Sequence, residues 1–123
     1  MLIAVSATGT TLKDQIDQRF GRCKYFIIID TITMISEAIP NQGAFASGGA
    51  GIKAAQILAE KGVQAVISGN IGPNAFSTLS AANIHAYVGN SGEVNTAIKK
   101  FNRGELKKTE TPNVKNHFGT NKF

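Results

Sequence analysis

The chain has 123 residues, 42% of them hydrophobic and 17% charged, a balance that fits one globular domain around a single core. No run approaches the roughly 20 apolar residues that a bilayer crossing needs, and one cysteine, Cys23, excludes an internal disulfide or a multi-cysteine metal site within one chain. The formal net charge of +5 is confined to one end, since residues 1–98 hold six basic and six acidic side chains while 99–123 hold seven and two. That distribution describes a basic tail more than a nucleic-acid-binding face, so nucleic acid is not an expected partner.

MLIAVSATG has no basic n-region and reads as an opening strand over Leu2–Ser6, so no signal peptide and a cytoplasmic setting are expected. Thr11–Asp17 is polar, a loop or a single helical turn. Tyr25–Asp30 is the most apolar strand, and a tight reversal at Thr31–Thr33 returns it into a second strand over 34–39, giving an antiparallel hairpin. Pro40-Asn41-Gln42-Gly43 ends the hairpin. The glycine-rich stretch Gly43–Gly51 should open a helix with Ile52, Ala55, Ile57, Leu58 and Ala59 toward the core, stopped by Gly62.

Ala65-Val66-Ile67 lacks alternation, which suits a strand buried on both faces. Ser68–Gly72 breaks it, and Pro73 stands where a first helical turn accepts proline, with Ala75, Phe76 and Leu79 continuing at helical spacing. Ile84–Val88 is another strand and Glu93–Phe101 a last helix, whose Glu93 and Lys99-Lys100 complement its dipole. From Asn102 onward periodicity is lost and a loose end is expected. The order β-β-β-α-β-α-β-α implies an α/β fold, a mixed sheet with helices packed on it in two or three layers.

Catalytic candidates are few. His85 lies in a strand pattern and His117 in the tail, neither with a carboxylate near in sequence. Asp14 and Asp17 are three apart and fit a shared helical face or a solvated turn. Nothing has the order of a Ser-His-Asp triad or of HExxH, so no enzyme is expected. The glycine stretch at 43–51 is no phosphate loop, because no Lys-Ser or Lys-Thr follows, and no dinucleotide fingerprint, because no apolar strand runs into it. It offers backbone N–H groups at a helix start, which accept many anions. The turn at Gly69–Asn74 reads either as a plain strand-to-helix turn or as a second such start on the same sheet edge. Cys23 sits beside Arg22 and Lys24, with Arg19 near, and cationic neighbours favour a thiolate suited to soft metals. The other reading is a small apolar residue at the mouth of a strand.

Three stretches, RFGRCKYFIIID, SGGAGIKAAQILAEKGVQAVISGNIGPNAF and IHAYVGNSGEVNTAIKKF, together resemble the dinitrogenase iron-molybdenum cofactor biosynthesis family, which includes NifX-like carriers and the C-terminal domain of NifB-like proteins. The resemblance covers residues 1–106 as one domain and leaves 107–123 as a basic flexible tail. It implies a ribonuclease H-like motif with a central five-stranded mixed sheet flanked by helices. It also implies non-catalytic binding or carriage of an iron–sulfur or iron–molybdenum-type cluster or its precursor, with cluster-assembly proteins as partners. The implied cofactor-binding residues are Arg19, Phe20, Gly21, Arg22 and Cys23, then Gly48, Gly49, Ala50 and Gly51, then Asn70, Ile71, Gly72, Pro73 and Asn74. Nitrogenase carriers commonly have a histidine before F-G-R. Here Arg19 takes that position, which leaves Cys23 as the expected metal ligand. The alternative is an adaptor or regulatory domain binding a partner protein or small anion without metal.

Overall fold

A computed structural model describes residues 1–113. The elements are β1 (Leu2–Ala7), β2 (Tyr25–Asp30), β3 (Ser36–Pro40), a 3-10 turn (Gln42–Phe45), α1 (Ala50–Glu60), β4 (Ala65–Ile67), α2 (Pro73–Ala81), β5 (His85–Tyr87) and α3 (Val94–Asn102). They form one five-stranded mixed sheet in the order β3-β2-β1-β4-β5. The hairpin side is antiparallel, with Ala4 opposite Ile28 and Ile27 opposite Ala38. The other side is parallel, with Ala4 beside Val66 and Val66 beside Ala86.

Alternation along the strands divides the core in two. Ala4, Phe26, Ile28, Val66 and Ala86 face α1 and α2, meeting Ala54, Leu58, Ala75 and Leu79. Ile3, Val5, Ile27, Ile29 and Ile67 face the other way and meet Val94, Ala97 and Ile98 of α3. The domain is therefore three-layered, and β4, like β1 up to Val5, reads as an unbroken apolar run because both its faces are covered.

Glycines set the limits of α1. Gly49 precedes it at φ 68°, and Gly62 follows it at φ 79°, left-handed angles that cost glycine least. Its inward face is Ala50, Ala54, Ala55 and Leu58, whereas Ala59, expected inside, is exposed. β3 starts at Ser36 and retains Pro40, later than the apolar Met34 and Ile35 suggest. The Asp30 carboxylate accepts the N–H groups of Ile32 at 2.8 Å and Thr33 at 3.2 Å. Met34 then turns at φ 61°, so the reversal consumes two residues more than the apolar pattern allows.

Residues 107–113 belong to the stretch expected as a flexible tail, and part of it runs beside β5. Thr109 N–H donates to Ala86 O at 2.8 Å and its hydroxyl accepts Val88 N–H at 3.0 Å. Backbone polar groups left over at the β5 edge supply these bonds, a demand that apolar periodicity does not record. The tail beyond residue 113, His117 included, lies outside the described residues. No helix among the described residues is long and apolar enough to cross a membrane.

Candidate functional site

Because β1, β4 and β5 run parallel, their carboxyl ends at Ala7, Ile67 and Tyr87 share one sheet edge. The loops following them, and the starts of α1 and α2, gather there. Small residues let the backbones close in. An added Cβ at Gly51 falls 2.8 Å from the Cβ of Ala75, and one at Gly21 falls 2.8 Å from Gly51 N. Between them lies a groove of about 300 Å³ lined by Phe20, Gly21, Arg22, Gly49–Ile52 and Gly72–Ala75.

Neither helix start facing this groove carries a side-chain cap. Among the described residues the first-turn amides of α1 and α2 are therefore left without intrahelical or capping partners, apart from Pro73, which has none to offer. Two positive helix ends then converge on one concave, glycine-lined surface, a geometry that favours an anion.

Cations stand on the rim. Arg22 Nη1 donates to Ala44 O at 2.7 Å and Ala46 O at 3.0 Å, pinning the 3-10 turn while its charge borders the groove. A second hollow of about 520 Å³ adjoins it through Arg22 and is lined also by Arg19, Lys24, Tyr25, Pro40, Asn41, Ala44 and Phe45. Arg19 keeps its side chain 67% exposed and touches Asp17 Oδ1 at 3.5 Å. Phe45, which also lines this hollow, is 88% exposed.

The loop that carries Arg19 is stitched to the turn before α2. Phe20 N–H donates to Asn70 O at 3.2 Å, and Asn70 Nδ2 donates to Gln18 O at 3.0 Å. Deeper in, the Ser6 hydroxyl donates to Asp17 O at 2.7 Å and lies 2.8 Å from the hydroxyl of Ser68. Asn41, which the sequence marks only as part of the turn ending the hairpin, is buried at the back of the second hollow. Its Nδ2 donates to Gly21 O and Cys23 O, each at 3.0 Å, and its Oδ1 accepts Gly43 N–H at 3.1 Å. One amide thus fixes the loop before β2 to the turn before α1. Its position directly after Pro40 was the available signal.

Cys23, the expected thiolate ligand, lies inside the fold. Its side chain is 0% exposed and its thiol donates to Phe20 O at 3.4 Å. Burial pushes the thiol up to about 12, with Asp17 adding in the same direction. Arg22 and Lys24 lie exposed on either side of it, so desolvation outweighs their charges. In this structure Cys23 packs among the buried residues between the sheet and α1 and α2.

Of the expected residues, the groove brings together Phe20, Gly21, Arg22, Gly49, Ala50, Gly51, Gly72, Pro73 and Asn74. Arg19 stands in the neighbouring hollow, and Gly48 is exposed beside Gly49. Asn70 joins the loops, and Ile71 is buried in the core. Ile52 and Ala75 complete the lining. His85 is exposed at the start of β5, at the opposite end of that strand. Asp14 accepts from the N–H and hydroxyl of Thr11, bonds that hold its carboxyl below the usual range. Asp17 accepts Arg19 N–H at 2.9 Å, so the two carboxylates serve separate turns. Among the described residues no group of three His, Cys, Asp or Glu side chains is placed to hold a metal ion.

Residues 1–104 match the family model described as dinitrogenase iron-molybdenum cofactor. An uncharacterized protein of Methanocaldococcus jannaschii is 33% identical over 100 residues, spanning 79% of this chain and 85% of that protein. Two solved structures share the fold at 38% identity. The apo form of the orange protein from Desulfovibrio gigas superposes with a TM-score of 0.89 over 91% of this chain and 95% of its own. A Thermotoga protein described as a candidate NifB superposes with a TM-score of 0.77 over 91% and 97%.

Proposed function

We propose that this chain, which belongs to the dinitrogenase iron-molybdenum cofactor family, is a non-catalytic binding or carrier protein for an anionic metal–sulfur cluster or its precursor. The observation that carries the reading is the convergence of two helix starts without side-chain caps on one glycine-lined groove, with Arg22 on its rim and Arg19 beside it. Sulfide-rich clusters are anions with many weak acceptor atoms, and backbone N–H groups and guanidinium forks present donors to several of them at once. The D. gigas relative has a form described as apo, which fits a family whose fold receives a removable group.

The buried thiol changes how the cargo is held. With Cys23 enclosed, the groove offers hydrogen-bond donors and charge rather than a covalent metal–thiolate bond. The cargo in this reading brings its own sulfur ligands and is released without breaking a bond to protein. Holding a cluster needs no proton shuttle, and among the described residues the groove lining contains no carboxylate or histidine.

The test is anaerobic loading of the purified chain with iron and sulfide, and separately with tetrathiomolybdate, followed by desalting and metal analysis. Stoichiometric metal with visible charge-transfer bands supports the carrier reading. No retained metal, under conditions where a control cluster protein loads, points to the adaptor or simple anion-binding alternative.

A further inference from the structure

We propose that Asn113 is a positioning residue for the groove and that residues 107–113 form a strap holding the turn from which α2 starts; this rests on the groove being the cargo site. The strap begins beside β5, where Thr109 pairs with Ala86 and Val88. It then crosses to the turn after β4. There a single amide makes three bonds: Asn113 Oδ1 accepts Ile71 N–H at 2.8 Å, and Nδ2 donates to Gly69 O at 3.1 Å and Asn70 Oδ1 at 3.0 Å. The family match ends at residue 104, so these contacts come from a part of the chain beyond the shared domain.

The bond to Ile71 is the decisive one. Ile71 is 0% exposed and its side chain is locked in the core, so its N–H has to find a partner within the protein. Asn113 supplies it. From the other side the same turn is gripped by the Asn70 bond to Gln18 O and the Phe20 bond to Asn70 O. Gly72, the residue before α2, has no cap of its own. The direction in which α2 presents its first amides therefore follows from how firmly Gly69–Gly72 is held on both sides. Asn113 lies outside the groove lining and acts on cargo only through this turn.

The experiment compares the full-length chain with Asn113→Ala and Thr109→Ala. It follows amide hydrogen exchange by NMR and, in parallel, titrates tetrathiomolybdate. In Asn113→Ala, Ile71 exchange should rise at least tenfold while amides of β1 stay protected, and cargo affinity should fall roughly five- to tenfold, the scale of one orphaned buried donor. Thr109→Ala should shift both readouts the same way by less. Unchanged exchange at Ile71 overturns the strap. Faster exchange with unchanged cargo affinity overturns its positioning role. A wild-type chain that retains neither iron with sulfide nor tetrathiomolybdate overturns the carrier reading instead, and the exchange rate of Ile71 still decides whether Asn113 holds the turn.

Discussion

Gly51 and Ala75 meet where α1 and α2 begin, so closely that a Cβ on residue 51 would lie 2.8 Å from that of Ala75. Normal carbon–carbon contact is roughly 3.5–4.0 Å, so the helices approach to a distance that only glycine permits. Gly51→Ala sets two effects in opposition. Replacing a helical glycine gains at most about 1 kcal/mol in backbone entropy. Forcing apart two packed helix ends costs about 1–3 kcal/mol. The steric cost wins, and the thermal midpoint should fall by several degrees, accompanied by weaker cargo binding as the groove walls separate. A midpoint at or above wild type in calorimetry would show that α1 and α2 yield without cost.

Arg22 has two duties that Lys divides. Its guanidinium bridges Ala44 O and Ala46 O, a fork that an ammonium on a flexible stem does not reproduce. Arg22→Lys should keep most of the electrostatic attraction for cargo but loosen the turn at Gln42–Phe45. Chymotrypsin should then cut after the exposed Phe45 several times faster than in wild type. Arg22→Ala should show the same cleavage and also a larger loss of cargo affinity with a shallower salt dependence, because the rim charge is gone. Equal cargo affinity in Arg22→Lys and Arg22→Ala would remove the charge from the account.

Cys23 links burial to pH. A thiol held at about 12 is ionised in roughly one molecule in ten thousand at pH 8, so native alkylation should run at least a hundredfold slower than in urea. The folded protein keeps the proton to higher pH than the unfolded chain, whose thiol titrates near 9.0. Its contribution to stability is therefore complete below pH 9 and is lost as pH rises toward 12. Between pH 8 and pH 10.5 the wild type should lose about 2 kcal/mol more than Cys23→Ala in urea titrations. Parallel losses in the two proteins would mean that the thiol does not resist ionisation.

Much of the scaffold was legible because its cause is local or periodic. Tyr25–Asp30 and Ala65–Ile67 are apolar runs covered on both faces, and Pro73 marks the start of α2 as its fixed φ requires. The gathering of two glycine stretches on one edge followed from the order of strands and helices. What escaped had causes that sequence spacing does not carry. The environment of Cys23 is decided by which way the chain enters β2, and its charged neighbours point to solvent while it points to the core. Met34 spends an unusual backbone angle on a turn that Asp30 closes, which delays β3. Asn113 is far in sequence from the turn it holds and belongs to no periodic pattern, so a segment that reads as a loose end serves as a strap.

The most direct test of the central claim is anaerobic cargo loading of wild type beside Cys23→Ala and the charge reversal Arg19→Glu, read as bound metal per chain and as affinity for tetrathiomolybdate. The groove described here predicts stoichiometric loading that survives Cys23→Ala and falls at least tenfold in Arg19→Glu. Metal that disappears with the cysteine, or that binds Arg19→Glu as well as wild type, would contradict a site built from helix amides and arginines.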